Sequence, residues 1–220
     1  MSGWLIYHPE RSCSRFGDPI IYHDSTQGNQ DPYIWNRRFL HSFCHITQMS
    51  PEIGDICFWV SGDTFPNFSR LLCDVVFYVE EKTYWRDANA MSPDDPMVDS
   101  VEAYTDHYWW AGVEHPFRRR RRFTLKAAES LSFQPQTSAM QLLDIAPILS
   151  TIGLEADAIR RELRAGIGSK PMRLAQPLAK ALYDAVCDAA AVRFVGPELQ
   201  QIHRQHPELA SDRSGRQVAA

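Results

Sequence analysis

The chain has 220 residues and a mass of 25.2 kDa. That is room for one sizeable core, or one domain with a helical appendage, but not for several independent domains. A formal net charge of -4 and a sequence pI near 6.1 exclude a uniformly basic nucleic-acid coat, so any polyanion site must be local. No run of about 18 apolar residues occurs, and "MSGWLIYHPERSC" carries only a short apolar stretch without a basic region before it, which predicts a cytoplasmic protein with no membrane partner.

Composition shifts along the chain. Residues 1–130 are rich in aromatic and β-branched side chains, whereas Ala, Leu and Gln take over from 131. The predicted organisation is a β-rich, barrel-like domain over 1–130, a helical region over 131–206 and a flexible tail over 207–220. Cys13, Cys44, Cys57, Cys73 and Cys187 are scattered and odd in number with no CxxC pair, which argues for reduced thiols and against a disulfide framework or a zinc ribbon.

In chain order, "WLIYH", "PIIYH", "RRFLHSFCHIT", "ICFWVS" and "LLCDVVFYVEE" read as short strands bounded by Pro, Gly and Asp. They predict an α+β protein built on a mostly antiparallel or barrel-like sheet. Residues 87–106 are acidic and contain proline, as a surface excursion or lid would. "FTLKA" alternates like a half-buried strand. Helices are expected near 139–152, 155–165 and 173–192, with Leu154, Ala158, Ile159 and Leu163 at amphipathic spacing. Gly166 would stop the second, and Ser169 with Pro171 would open the third.

The chemistry-bearing feature is "EHPFRRRRRFTLKA". In an extended segment Arg118, Arg120 and Arg122 share one face while Arg119 and Arg121 share the other. The three-arginine face suits phosphates, which guanidinium groups grip bidentately. The same charge also suits an edge strand that resists aggregation. Trp35, Trp59, Tyr84, Trp85 and the "HYWW" containing Trp109 and Trp110 offer rings on which a base could stack, at about 1–3 kcal/mol per base. They equally suit core positions, although adjacent Trp109 and Trp110 cannot both face one side of a strand. "GDTFPNFSR" presents Asp63 and Asn67 as base-edge partners, and its residues are good turn formers too.

"HSFCH" supplies His41 and His45, which on a strand are about 13 Å apart, too far for one ion. On a helix His41, Cys44 and His45 would come together, but on the strand preferred here a polar-pocket or hydrogen-bonding role outranks metal ligation; His41, His45 and His107 are the acid/base candidates of an enzyme reading, and neither a cofactor nor a metal is implied. "GIGSKPMR" lacks the order of a phosphate loop, and no GxSxG elbow is present.

"SPEIGDICFWVS" followed by "LLCDVVFYVEEK" resembles the pattern of PUA-like β-barrels, including the ASCH and EVE relatives, over residues 35–127. The resemblance implies an aromatic-lined cleft for RNA, a modified base or a nucleotide, with Trp59 and the nearby loop at the cleft and the basic strand flanking it. The chain departs from a minimal barrel by its length, its acidic excursion and its helical C-terminal third. The expected function is nucleotide or nucleic-acid binding through Trp59, Asp63, Asn67, Trp109, Trp110, Arg118, Arg120 and Arg122. A nucleotide-processing enzyme and a protein-interaction module are the alternatives, and a homodimer through the C-terminal helices is the expected self-association.

Overall fold

The computed structural model describes residues 1–7, 11–23, 41–42, 51–62, 70–84, 123–163 and 171–205. They form eleven strands and four helices: β1 (Gly3–Tyr7), β2 (Ser12–Arg15), β3 (Ile20–His23), β4 (His41–Ser42), β5 (Ile56–Ser61), β6 (Leu72–Tyr84), β7 (Phe123–Ala127), β8 (Phe133–Gln136), β9 (Leu143–Asp144), α1 (Ala146–Thr151), α2 (Ala156–Leu163), β10 (Met172–Leu174), α3 (Gln176–Ala189), β11 (Val192–Val195) and α4 (Gly196–Gln205). Nine strands make one sheet along the path β10-β1-β5-β6-β7-β4, with β8 and β9 also on β6 and β11 on β8. The pairing of β1 with β5 is parallel and the other pairs are antiparallel.

The fold is therefore mixed α and β around a large, mostly antiparallel sheet, as expected, but the sheet does not close into the barrel that the sequence suggested. The region beyond 131 holds its expected helices and also gives four short strands to the same sheet. Of the third expected helix, residues 172–174 are instead strand, because Met172, Arg173 and Leu174 pair with Leu5, Trp4 and Gly3. The helix begins at Gln176, with Pro177 in its first turn where a missing N–H costs nothing. The first expected helix starts only at Ala146, since Met140 at φ 57 turns the chain and Asp144 Oδ1 accepts from Ala146 N at 3.0 Å.

Both faces of the sheet are covered, which is why all of β1 and β5 is buried instead of alternating with exposed residues. On one face Leu5, Phe58, Val60 and Val76 pack with Leu149 of α1, Ile159 and Leu163 of α2, and Ala179, Leu182 and Val186 of α3. On the other, Trp4, Ile6, Cys57, Trp59, Val75 and Phe77 pack with Ile21 of β3 and Leu199 of α4. Gly3 allows α3 to lie this close, because a Cβ there would stand 2.6 Å from Ala179 Cβ. The apolar face of α3 is spent on the sheet, and Gln176, Lys180, Asp184 and Asp188 face outward. A dimer through this helix would have to use that polar side.

The "GD" turn is a structural clamp. Gly54 takes φ +87, a conformation that side chains resist. The buried Asp55 carboxylate then accepts from the backbone N–H of Ser2, from Trp4 Nε1 at 2.9 Å and from Glu52 N at 3.1 Å. Asp55→Ala strands these donors, and it is expected to cost about 2–4 kcal/mol in urea unfolding with an unchanged m-value.

Candidate functional site

β1 and β5 run side by side in register from Gly3↔Ile56 to Tyr7↔Val60, so their carboxyl ends finish together. β6 begins at the same end, with Leu72 opposite Ser61. Trp59 faces Val75 but Val60 faces Cys73, which leaves Asp74 as the extra residue of a β-bulge. The bulge shifts the alternation by one, so that Cys73 and Val76, three positions apart, lie on the same face.

The carboxylate of Asp74 is fully buried and, among the described residues, is met by Ser61 and Arg11. Ser61 Oγ donates to its Oδ1 at 2.9 Å, and Arg11 Nε donates to its Oδ2 at 3.3 Å. Neither charged side chain has any exposed surface. Desolvating both ions offsets much of their attraction, so such a pair contributes less to stability than to fixing geometry. What it fixes is the base of β2, which follows Arg11, and the strand end from which residues 62–70 depart.

His23 on β3 and Cys73 beside Asp74 on β6 are further reactive groups. His23 lies opposite Ser12 at the open end of the β2–β3 hairpin, is buried, and has Nε2 at 2.7 Å from Ser14 Oγ. Burial, reinforced by the adjacent Asp74 carboxylate, pushes the Cys73 thiol well above its ordinary range, which keeps it protonated and poorly nucleophilic. Among the described residues, no three of His, Cys, Asp and Glu come together as metal ligands. No described helix is long and apolar enough to cross a membrane.

Of the candidate binding and catalytic residues, Trp59 is the one whose side chain is among those described. It is 1 % exposed, with its ring 5.2 Å from that of Phe77 at 49°. In this arrangement it touches protein on all sides. His41 is on β4, paired with Lys126. His45, His107, Asp63, Asn67, Trp109, Trp110, Arg118, Arg120 and Arg122 lie outside the described residues. Their points of attachment are nonetheless fixed. The stretch bearing Asp63 and Asn67 leaves from Ser61–Gly62 beside Asp74, whereas the arginine run leads into β7 at Phe123, opposite Tyr84. Tyr84 is ten residues beyond Asp74 on β6, about 33 Å of strand at 3.3 Å per residue.

The sequence reading passed over Arg11, Ser61 and Asp74. The usable signal was Asp74 itself, a lone carboxylate inside "LLCDVVFYV", because a charge in a buried strand requires a partner. No protein-family model, curated protein or solved structure matches the chain.

If the ion pair acts as described, removing one member is far worse than removing both. Asp74→Ala or Arg11→Met is expected to cost about 3–5 kcal/mol, because each leaves a buried charge uncompensated. The double variant Arg11→Met, Asp74→Leu should recover most of that loss. Additive single losses in urea unfolding would contradict the account.

Proposed function

We propose that this chain binds a nucleotide or nucleic acid at the end of the sheet where β1 and β5 finish. The observation that carries the reading is the buried Arg11–Asp74–Ser61 network at the carboxyl ends of two adjacent parallel strands. Ligands favour such ends, where loops leave a rigid sheet. A network that stiffens a loop's origin is the support that a binding loop needs. In this reading Asp63 and Asn67 hydrogen-bond a base edge, Trp109 or Trp110 stacks on it, and Arg118, Arg120 and Arg122 neutralise phosphates. The PUA-like likeness of "SPEIGDICFWVS" belongs to the same proposal.

A second reading, an enzyme acting on nucleotides, is favoured by the Ser14–His23 contact, which is of the length that general-base chemistry uses.

Fluorescence anisotropy with a labelled single-stranded 12-mer, across a salt series, tests the proposal. The 12-mer should bind with an affinity that falls steeply as salt rises. Replacing Arg118, Arg120 and Arg122 together by Ala should flatten the plot of log K against log salt by roughly 2, at about 0.7 per phosphate contact. Salt-independent binding would mark a mononucleotide ligand, and no binding of either the 12-mer or a mononucleotide contradicts the proposal. Turnover of the nucleotide, lost in His23→Gln, would mark the second reading.

A further inference from the structure

The β2–β3 hairpin forms a two-stranded sheet of its own and is pinned on several sides. Gln134 bonds both backbone groups of Tyr22, at 2.9 and 2.8 Å, and Gln136 Nε2 donates to Ile20 O at 2.7 Å. The Tyr22 hydroxyl donates to Met140 O at 3.2 Å, Ile21 is buried in the apolar cluster beneath, and Arg11, just before β2, is paired with Asp74. That anchoring holds one pair of reactive side chains in place. In the register of the hairpin Ser12 lies opposite His23 and Ser14 opposite Ile21, so these four side chains share one face. Ser14 Oγ and His23 Nε2 meet on it at 2.7 Å, diagonally across the two strands. His23 is buried, whereas Ser14 keeps part of its surface exposed. A backbone donor stands beside them. Phe16 N donates to Pro19 O at 2.8 Å, and bonded pairs alternate along an antiparallel ladder, so Ser14–Ile21 is the next bonded pair. Arg15, between Phe16 and Ser14, therefore turns its N–H off the outer edge of β2, and among the described residues no strand pairs with that edge. Tyr22, out of phase in the same way on β3, turns its backbone groups outward to Gln134, as the alternation requires.

We infer that Ser14 and His23 are the nucleophile and general base of an acyl-transfer site for uncharged carboxylic esters. With its own proton on Nδ1, the imidazole takes the Ser14 proton at Nε2 while Oγ bonds to the ester carbonyl carbon. The carbonyl oxygen becomes an anion and is met by the Arg15 N–H at the edge of β2. Collapse breaks the carbon–oxygen bond to the alcohol, which leaves with the proton from Nε2. Water then attacks the acyl group on Ser14 in the same manner, releasing the acid and returning a proton to Oγ. A neutral nucleophile, a neutral base and one backbone donor answer the single charge that an ester develops, which sets the substrate class. The side chains need no rearrangement to begin, because the hairpin that carries them is fixed by Gln134, Gln136 and the Arg11–Asp74 pair. The site stands on the hairpin alone and goes beyond the nucleic-acid reading.

Labelling of the intact chain with a fluorophosphonate, with adducts mapped and timed by mass spectrometry, tests the assignment. Ser14 should be modified at least about 100-fold faster than Ser12, which shares its strand and face and is the more exposed of the two. His23→Gln should slow the reaction at Ser14 by at least about 100-fold and leave Ser12 unchanged. p-Nitrophenyl acetate should leave an acetyl group on Ser14 of the wild type. Both serines are read in one molecule, so the wild-type ratio decides the matter whether or not a variant folds. Ser12 and Ser14 reacting at one rate in the wild type, or no adduct at Ser14, would overturn the inference. No nucleotide enters this experiment, so its failure and that of the salt titration are told apart.

Discussion

A carboxylate in the middle of an apolar strand must be answered, and the answer organises one end of this molecule. Asp74 is buried without exposed surface. An ionised group in that position is tolerable only with a counter-charge and hydrogen bonds. The bulge in β6 turns Asp74 out of the alternation, Ser61 supplies one hydrogen bond from β5, and Arg11 supplies the opposite charge from a segment 63 positions earlier. Three separate stretches thus meet at one point. The hairpin acquires its base there, and the stretch after Ser61 acquires a fixed origin.

The two faces of the sheet are closed by different means. On one face three helices bury amphipathic surfaces that include Leu149, Ile159, Leu163, Leu182 and Val186. That layer is continuous with the core, and opening it means unfolding. On the other face the cover is α4 together with a small hairpin that inserts Ile21 and Phe16 and is held by the amides of Gln134 and Gln136 and by the Tyr22 hydroxyl, which donates to Met140 O at 3.2 Å. The two amides meet β3 at Ile20 and Tyr22, alternate residues, as the backbone of a neighbouring strand would.

The sequence made the long apolar runs legible and the short pairings illegible. β5 falls where "ICFWVS" placed it, because a run of β-branched and aromatic residues bounded by turn formers has few alternatives, and β7 falls where the alternation of "FTLKA" placed it. β8 is "FQPQ", four buried residues with a proline and two glutamines, and nothing in its composition announces a strand. Its glutamines are legible only once Tyr22 is seen beside them. β10 was lost to an expected helix because three residues carry no period, and its partner β1 is nearly the whole chain away. The barrel inferred from the PUA-like pattern was the costliest extrapolation, since closure depends on how edge strands meet, which local pattern does not encode. At the candidate site the sequence offered Trp59 and the "GDTF" stretch but not the ion pair beside them, whose members are joined only by the fold.

The proposed nucleic-acid binding at this end of the sheet rests on proximity: the stretch bearing Asp63 and Asn67 starts beside the Asp74 network, and Trp59 is two residues before Ser61 on β5. The most direct measurement is photo-crosslinking of the intact chain to a single-stranded oligonucleotide bearing 5-iodouracil, with the adduct mapped by mass spectrometry. The account predicts adducts within residues 59–70 or at Trp109 and Trp110. Adducts confined to the outward faces of α1, α2 and α3, or no adduct under binding conditions at low salt, would contradict it.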